Sequence, residues 1–249
     1  MNISYYNLVL EITRRCNMKC AHCMRGEAQN IDIPFEVIDK ALENVSSIGC
    51  LTLTGGEISL NPAAISYVAQ QIIKRGINVD NVYMVTNGKL VTSDFLMTCV
   101  ELFSIASDGE FNGLALSTDQ FHEPVSWHNI NMLRILAPFS DTDKDVDWES
   151  VSLINLGKAR ELTSYQKRDA VHFDPEFEIY DDELCFTEGN ICVTVHGDIL
   201  KDCDYEYCNT DHLKIGSVFD PDWAQKLVDQ EKDIRENWTN HLIDPTQVA

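Results

Sequence analysis

The sequence predicts an α/β fold in which strands and helices alternate around a parallel sheet. Apolar segments with strand character alternate five times with segments of helical spacing between residues 7 and 155. Such alternation is typical of βαβ units, whose strands run parallel because each helix carries the chain back across the sheet. The chain has 249 residues, of which 44% are hydrophobic, enough to fill the core of one large domain or of a domain with a small appendage.

Capping residues mark where several of these elements begin and end. Asn61 and Pro62 suit an N-cap and a first helical turn, and Gly76 suits the end of the same helix. Pro34 suits another first turn. These signals, together with the apolar spacing, predict strands at residues 7–13, 50–54, 79–85, 113–117 and 147–155. The predicted helices between them are residues 34–45, 62–75, 93–103 and 126–136.

Unusual polar segments directly follow the predicted strands. They are a cysteine-rich loop through about Asn30, then Gly55-Gly56-Glu57, Thr86-Asn87-Gly88, Ser117-Thr118-Asp119 and Gly157-Lys158-Ala159-Arg160. The carboxyl ends of parallel strands share one edge, and active sites are assembled at that edge in parallel sheets and barrels. The sequence therefore predicts a functional site built from these segments.

The composition changes at about residue 169, which divides the chain into a predicted core of residues 1–168 and an extension of residues 169–249. Proline and acidic residues dominate residues 173–183. Residues 191–203 then alternate as in a β-hairpin, with His196-Gly197-Asp198 as the turn. An acidic amphipathic helix is predicted at residues 221–240.

Charge and cysteine usage restrict the classes of partner and compartment. Lys and Arg total 19 against 40 Asp and Glu, for a formal net charge of -21. This surface repels nucleic acid and anionic membranes and attracts basic peptides or cationic small molecules. No signal peptide or apolar span of membrane length is visible, so a cytoplasmic protein is expected. Seven of the nine cysteines lie in two clusters, at residues 16–23 and 185–208, and such clustering indicates metal binding rather than disulfides.

Cys16, Cys20 and Cys23 supply three thiolates within eight residues of one loop. Three thiolates on a [4Fe-4S] cluster leave one iron without a protein ligand, and an open position is typical of a reactive metal site. Two alternatives remain: buried cysteines on a helix face, or zinc with His22 as the fourth ligand. The polar residues between the cysteines disfavour the first alternative, and the second leaves the other polar segments unexplained.

The chain resembles the radical S-adenosylmethionine (SAM) superfamily through CNMKCAHC, TLTGGE, VTNG, LSTDQFHE and NLGKAR, in the family's order. The resemblance implies a partial (β/α)6 TIM-like barrel whose cluster reductively cleaves SAM to a 5′-deoxyadenosyl radical that abstracts hydrogen from a substrate. It implies that Gly55, Gly56 and Glu57 hold the methionyl amine of SAM. An ordinary tight turn is the alternative for these three residues.

The same resemblance implies SAM contacts by other segments. Ser117 and Asp119 would contact the carboxylate or ribose, although capping of the next helix is equally compatible with them. Thr86, Asn87 and Lys158 would line the adenosine and methionine pocket, unless their segments are only a turn or a helix start. Residues near this edge that could contact substrate are His122, Glu123, His128 and Lys158.

A second set of cysteines lies in the extension. Cys185, Cys192, Cys203 and Cys208 resemble the Cys-bearing extension known as SPASM or twitch, which binds auxiliary iron-sulfur clusters. No cysteine follows Cys208, so the full two-cluster pattern is not met. A single auxiliary cluster, a zinc site and a metal-free remnant are the three interpretations that remain.

These features favour an enzyme that acts on a peptide or protein, as maturases of ribosomally made peptides do. An electron donor such as flavodoxin or ferredoxin would be needed. The alternative within the same class is a small-molecule substrate such as a nucleoside, a sugar or a cofactor precursor. A non-enzymatic zinc or iron-sulfur binding module is the alternative from a different class.

Overall fold

The computed structural model describes residues 1–136, 139–140 and 152–242. The strands are β1 Asn2–Thr13, β2 Val45–Gly55, β3 Asn78–Thr86, β4 Gly113–Leu116, β5 Phe139–Ser140, β6 Leu153–Ile154, β7 Lys167–Arg168, β8 Phe177–Tyr180, β9 Glu183–Phe186, β10 Ile191–Val193, β11 Asp198–Leu200 and β12 Lys214–Ser217. The helices are α1 Phe35–Ala41, α2 Pro62–Arg75, α3 Ser93–Phe103, α4 Trp127–Leu133 and α5 Trp223–Leu242. Short 3-10 helices occupy Ile58–Leu60, Gly157–Glu161 and Asp211–Leu213.

Most strands belong to one mixed sheet with the order β12-β11-β10-β1-β2-β3-β4-β5. Strands β1 to β5 pair in parallel and in sequence order, as the βα alternation predicts. The central pairing places Leu8 beside Leu51 and Leu10 beside Leu53, and all four side chains are fully buried. The carboxyl ends of β1 to β4 consequently lie side by side, and the polar segments that follow them share one edge.

Helix α2 shows how the local sequence determines an element. The side chain of Asn61 accepts from the backbone N–H of Ala64, Pro62 occupies the first turn, and Gly76 ends the helix at a φ of 67°. A left-handed residue at this point favours glycine because a Cβ would be strained there. Ile65, Val68 and Ile72 are spaced to lie on one face, and all three are buried in the core. The predicted bounds of this helix are confirmed.

Helix α1 is shorter than predicted: it ends at Ala41 with Leu42 as its C-cap, and the chain then turns through Asn44 at a φ of 61° into Val45. Strand β2 begins at Val45, five residues earlier than predicted, and its additional residues pair with β1. Residues 147–151 of the predicted fifth strand lie outside the described part of the chain. Leu153–Ile154 pairs with Lys167–Arg168 in a separate two-stranded sheet, and β5 takes the fifth position of the main sheet.

The C-terminal part continues the same sheet instead of forming a separate one. Strands β9 and β10 both pair in parallel with β1, and β10 forms the predicted hairpin with β11. Gly197 in the hairpin turn has a φ of 83°, where glycine is favoured. Among the described residues, none of the helices is both long and apolar enough to span a membrane.

Candidate functional site

A cavity of about 370 Å³ opens at the carboxyl edge of the sheet, which is the edge where the sequence predicts a site. Its walls come from the loop after β1, from the ends of β2, β3 and β4, and from β6. It is lined by Cys16, Cys20, His22, Cys23, Met24, Gly56, Val85, Asn87, Ser117, His122 and residues 152–154. This edge cavity has the size of a pocket for a small cofactor.

The cysteine loop (residues 14–30) separates the edge cavity from a second cavity of about 180 Å³. Cys16, Cys20 and Cys23 border both cavities, and all three are free thiols of intermediate exposure. The second cavity is also bordered by several cationic side chains, namely Arg14, Lys19, Arg25 and Lys158. Cations next to thiolates stabilise negative charge, as an iron-sulfur cluster with three thiolate ligands requires.

Gly55 and Gly56 hold the start of the cysteine loop. The Gly56 N–H donates to the carbonyl of Thr13 at 2.7 Å, and a Cβ on Gly56 would lie 2.4 Å from the carbonyl oxygen of Arg15. A Cβ on Gly55 would lie 2.2 Å from the Thr13 carbonyl oxygen. Both glycines are therefore needed for close backbone packing, and Gly56 also faces the edge cavity.

The Glu57 side chain is not available to a ligand. It is 2% exposed, its Oε1 accepts from Ser59 N at 3.0 Å and from Thr86 Oγ1 at 2.6 Å, and its Oε2 accepts from Asn87 N at 2.7 Å. This corrects the prediction that Glu57 accepts from an ammonium group of SAM. The carboxylate instead joins the end of β2 to the end of β3.

Thr86 and Asn87 have different roles although they are adjacent. The Thr86 hydroxyl is buried and bonds to Glu57, which corrects its prediction as a pocket residue. The Asn87 side chain lines the edge cavity, where its Nδ2 lies 3.7 Å from Cys16 Sγ and 2.9 Å from Asn17 Oδ1. Asn87 therefore contacts a predicted cluster ligand directly.

Asp119 lies between two histidines that line the edge cavity. Its Oδ2 is 3.1 Å from His22 Nε2 and its Oδ1 is 2.7 Å from His122 Nδ1. Burial alone would raise the pKa of Asp119, but the two histidines outweigh it and hold that pKa well below its usual range. Burial disfavours charged His122, but Asp119 and then Cys20 raise its pKa to about 10. Ser117 lines the cavity, whereas Asp119 orients His22 and His122.

Lys158 belongs to the wall of the second cavity. Its Nζ lies 2.9 Å from Glu27 Oε1, and its backbone N–H donates to the Cys23 carbonyl at 2.9 Å. Gly157 packs against the same part of the loop, since a Cβ there would lie 2.4 Å from the Cys23 carbonyl oxygen. The segment after β6 consequently packs against the cysteine loop and supports it.

Of the other residues predicted near this edge, Glu123 pairs with Lys89 and His128 is exposed.

The four C-terminal cysteines do not assemble into one site. Cys185 lies beside Ser4 and Cys192 beside Val9 on the same edge of β1. Five residues of strand separate these positions by about 16 Å, which is too far for shared ligation of one metal group. Cys192 is fully buried in an apolar cluster that Cys203 flanks, and Cys208 is exposed. One cluster held by all four thiols, which is one of the three interpretations of these cysteines, does not fit this arrangement.

Sequence reasoning overlooked residues whose importance depends on distant contacts. His22 was considered only as a zinc ligand, and Met24, Val85 and residues 152–154 were not predicted to line the cavity. Arg25 and Glu206 were not predicted either, although both are buried and charged. The i, i+2 spacing of Tyr205 and Tyr207 was the available signal, since it puts two aromatic rings on one side of an extended segment.

The residues present fit a [4Fe-4S] cluster with SAM on its open iron. Three thiols from one loop face two adjoining cavities, and the edge cavity lies beside all three. Asn87 and His122 approach two of the three sulfurs as polar neighbours. Thiolates with hydrogen-bond donors at their sulfurs are the usual ligands of such clusters.

Comparisons with known proteins indicate the same superfamily as the sequence motifs. The sequence model of the Radical SAM superfamily matches residues 10–133. The antilisterial bacteriocin subtilosin biosynthesis protein AlbA of Bacillus subtilis (strain 168) is 33% identical over 93 residues, which are 34% of this chain and 19% of that protein. The match thus spans about a fifth of that relative.

One solved structure extends the likeness of fold over most of the chain. Native anSMEcpe with bound AdoMet and Cp18Cys peptide has a TM-score of 0.52 and 13% identity, and the alignment covers 91% of this chain and 80% of that chain. Streptococcus suis SuiB bound to S-adenosylmethionine has a TM-score of 0.36 and 15% identity, and covers 79% of this chain and 60% of that chain. At 13% identity, the likeness to anSMEcpe shows a similar fold and nothing beyond it.

Proposed function

We propose that this chain is a radical SAM enzyme that uses a [4Fe-4S] cluster and SAM, and that it modifies a peptide or protein. In this proposal Cys16, Cys20 and Cys23 hold the cluster, and SAM occupies the edge cavity. The observation that carries it is the position of the three thiols, which border the cavity formed by the ends of β2, β3 and β4. When bound, the cluster supplies one-electron reductive cleavage of SAM.

Each cavity residue has a proposed task toward SAM. Gly56 exposes backbone at the wall, Asn87 and Ser117 offer polar side chains, and Val85 offers an apolar surface. Residues that do not face the cavity hold these in place: Glu57 fixes the backbone of Asn87. Lys158, which borders the second cavity, stabilises the thiolates by its charge and does not contact SAM.

Asp119 acts as a positioning residue in this proposal. Its two carboxylate–imidazole contacts fix the rings of His22 and His122, which then form part of the cavity wall. The His22 ring also stacks on Phe121, with centroids 4.6 Å apart. A fixed wall of this kind excludes water and presents planar surfaces to a bound nucleoside.

The peptide part of the proposal has two supports. AlbA takes part in the biosynthesis of a bacteriocin, and anSMEcpe was solved with a bound peptide. The net charge of -21 would attract a basic peptide.

We also propose a cytoplasmic location and a flavodoxin or ferredoxin as electron donor. The chain would divide into a core of residues 1–168, which forms a partial (β/α)6 barrel, and an extension of residues 169–249.

A deuterium-transfer experiment tests the substrate class without knowledge of the substrate. Cells that make this protein are grown in heavy water, and their extract is divided into tryptic peptides and a small-molecule fraction. The reduced enzyme receives SAM and one fraction at a time, and the 5′-deoxyadenosine product is analysed by mass spectrometry. Cleavage of a substrate C–D bond transfers deuterium to the C5′ carbon.

We expect deuterium in 5′-deoxyadenosine with the peptide fraction and none above background with the small molecules. Transfer from the small-molecule fraction alone would overturn the peptide proposal and favour a nucleoside, sugar or cofactor precursor. Cys20→Ala is the control, because it removes a proposed cluster ligand and should abolish transfer from either fraction.

A further inference from the structure

Residues 205–207, here called the tyrosine segment, contact the cysteine loop although about 180 residues separate them in the sequence. The guanidinium of Arg25 lies 3.9 Å from the centre of the Tyr205 ring, and its Nη1 donates to the Tyr205 carbonyl at 3.1 Å. The Tyr207 N–H donates to the Arg25 carbonyl, also at 3.1 Å. Arg25 is therefore held through both its side chain and its backbone.

Arg25 also lies near Cys192 and Cys203, two of the cysteines that the sequence pattern suggests as ligands of an auxiliary cluster. It is a charged neighbour of both Cys192 and Cys203, which are close enough to influence each other. The Cys192 thiol bonds to the Tyr205 hydroxyl at 3.9 Å. A guanidinium stays protonated under all ordinary conditions, so Arg25 keeps a fixed positive charge beside these two thiols.

A second link connects the tyrosine segment to the cysteine loop through Gly157 and Lys158. Glu206 is 4% exposed and accepts from the backbone N–H of Gly157 and, at 2.8 Å, from Arg160 Nη1. The next residue, Lys158, donates its N–H to the Cys23 carbonyl. Glu206 therefore holds the backbone of Gly157, and the adjacent Lys158 holds the backbone of Cys23, the third cysteine.

The ring of Tyr207 completes the contact. Arg14, which precedes the cysteines, lies 4.5 Å from the centre of this ring, and Tyr207 borders the second cavity together with the three cysteines. Both ends of the cysteine triplet are therefore flanked by residues that pack on the tyrosine segment: Arg14 before Cys16, and Arg25 after Cys23.

We infer that the tyrosine segment is a positioning clamp for the cysteine loop, so that the C-terminal part of the chain serves the first cluster instead of binding a second one. The inference rests on the proposal that Cys16, Cys20 and Cys23 hold the cluster. Buried cation–π stacking and charge-assisted hydrogen bonds are strong enough to fix a loop that is otherwise irregular. Arg25 and Glu206 are its two principal positioning residues.

The test compares Arg25→Ala, Arg25→Lys and a matched control, Arg75→Ala, which removes an arginine paired with Asp39 on the surface. Each full-length protein is reconstituted with iron and sulfide without oxygen. Three quantities are measured: the rate of iron loss to a chelator, the EPR spectrum of the reduced cluster with and without SAM, and the reduction midpoint potential. We expect Arg25→Ala to lose iron about tenfold faster or more, and its SAM-induced EPR change to be altered.

Arg25→Lys should restore only part of this behaviour, since lysine keeps the charge without the planar guanidinium that stacks on the ring. Arg75→Ala should match the wild type. Wild-type iron loss and an unchanged EPR response in Arg25→Ala would overturn the inference. If Arg25→Ala does not fold by circular dichroism, Glu206→Gln gives the same comparison, with a smaller effect expected in the same direction.

The double variant Cys192→Ala/Cys203→Ala separates the clamp from an auxiliary cluster. We expect it to keep the wild-type iron content, and loss of iron would contradict the inference. Failure of the wild type itself to bind iron would instead overturn the proposed function. The two failures are therefore distinguishable.

Discussion

Substitution of Glu57 by alanine is expected to destabilise the protein by about 3–5 kcal/mol, because it leaves buried donors without an acceptor. The carboxylate accepts from Ser59 N, Thr86 Oγ1 and Asn87 N. Each lost hydrogen bond of a buried donor costs about 1–3 kcal/mol, and the cavity left by the side chain adds to this. Urea unfolding of the apoprotein, followed by circular dichroism, measures the free energy.

Glu57→Gln and Glu43→Ala are the controls for this experiment. Glutamine keeps the shape and one carbonyl acceptor, so we expect a smaller loss of about 1–3 kcal/mol. Glu43 forms an exposed ion pair with Lys40, and its replacement should change the unfolding free energy by less than about 0.5 kcal/mol. Equal stability of Glu57→Ala and Glu43→Ala would contradict the structural role given to Glu57.

Substitution of Gly157 by alanine should both destabilise the chain and weaken iron binding. The new Cβ would lie 2.4 Å from the Cys23 carbonyl oxygen and 2.5 Å from that of Met24. Gly157 also has a φ of 53°, where a Cβ costs about 1–2 kcal/mol by itself. Because the clash falls on backbone that cannot rotate away, we expect a total loss of about 2–4 kcal/mol.

Gly76→Ala is the matched control, since Gly76 has a φ of 67° and a Cβ there would meet nothing within 4 Å. It should lose only the backbone cost of about 1–2 kcal/mol and should bind iron as the wild type does. Urea unfolding and iron content after reconstitution are measured on both variants. Wild-type iron content in Gly157→Ala would show that the segment after β6 does not support the cysteine loop.

Much of the fold could be predicted because its signals are local. Helix α2 has an N-cap, a first-turn proline and a terminal glycine within its own sequence, and its bounds were predicted without error. The predicted length of strand β2 was too short because its first half contains Ser46, Ser47 and Gly49. These residues have low strand preference, yet they lie in a strand because β1 provides the pairing partner. Tertiary pairing cannot be inferred from the segment alone.

In the site, too, the roles that could be predicted depend on local signals, and those that could not depend on distant contacts. The spacing of Cys16, Cys20 and Cys23 predicts their shared role because the three thiols lie in one short loop. The role of Glu57 depends on Thr86 and Asn87, about thirty residues further along the chain, so a ligand contact and an internal contact look alike in the sequence. Arg25 and Tyr205 are farther apart still, and the pairing of β10 with β1 helps to bring their segments together.

The most direct test of the central claim is iron counting after anaerobic reconstitution of the wild type and of the Cys16→Ala/Cys20→Ala/Cys23→Ala variant. We predict about four irons per chain in the wild type and none in the triple variant, because a single [4Fe-4S] cluster is bound by these three thiols. About four irons retained by the triple variant would place a cluster elsewhere in the chain. No iron in the wild type would contradict the cluster itself.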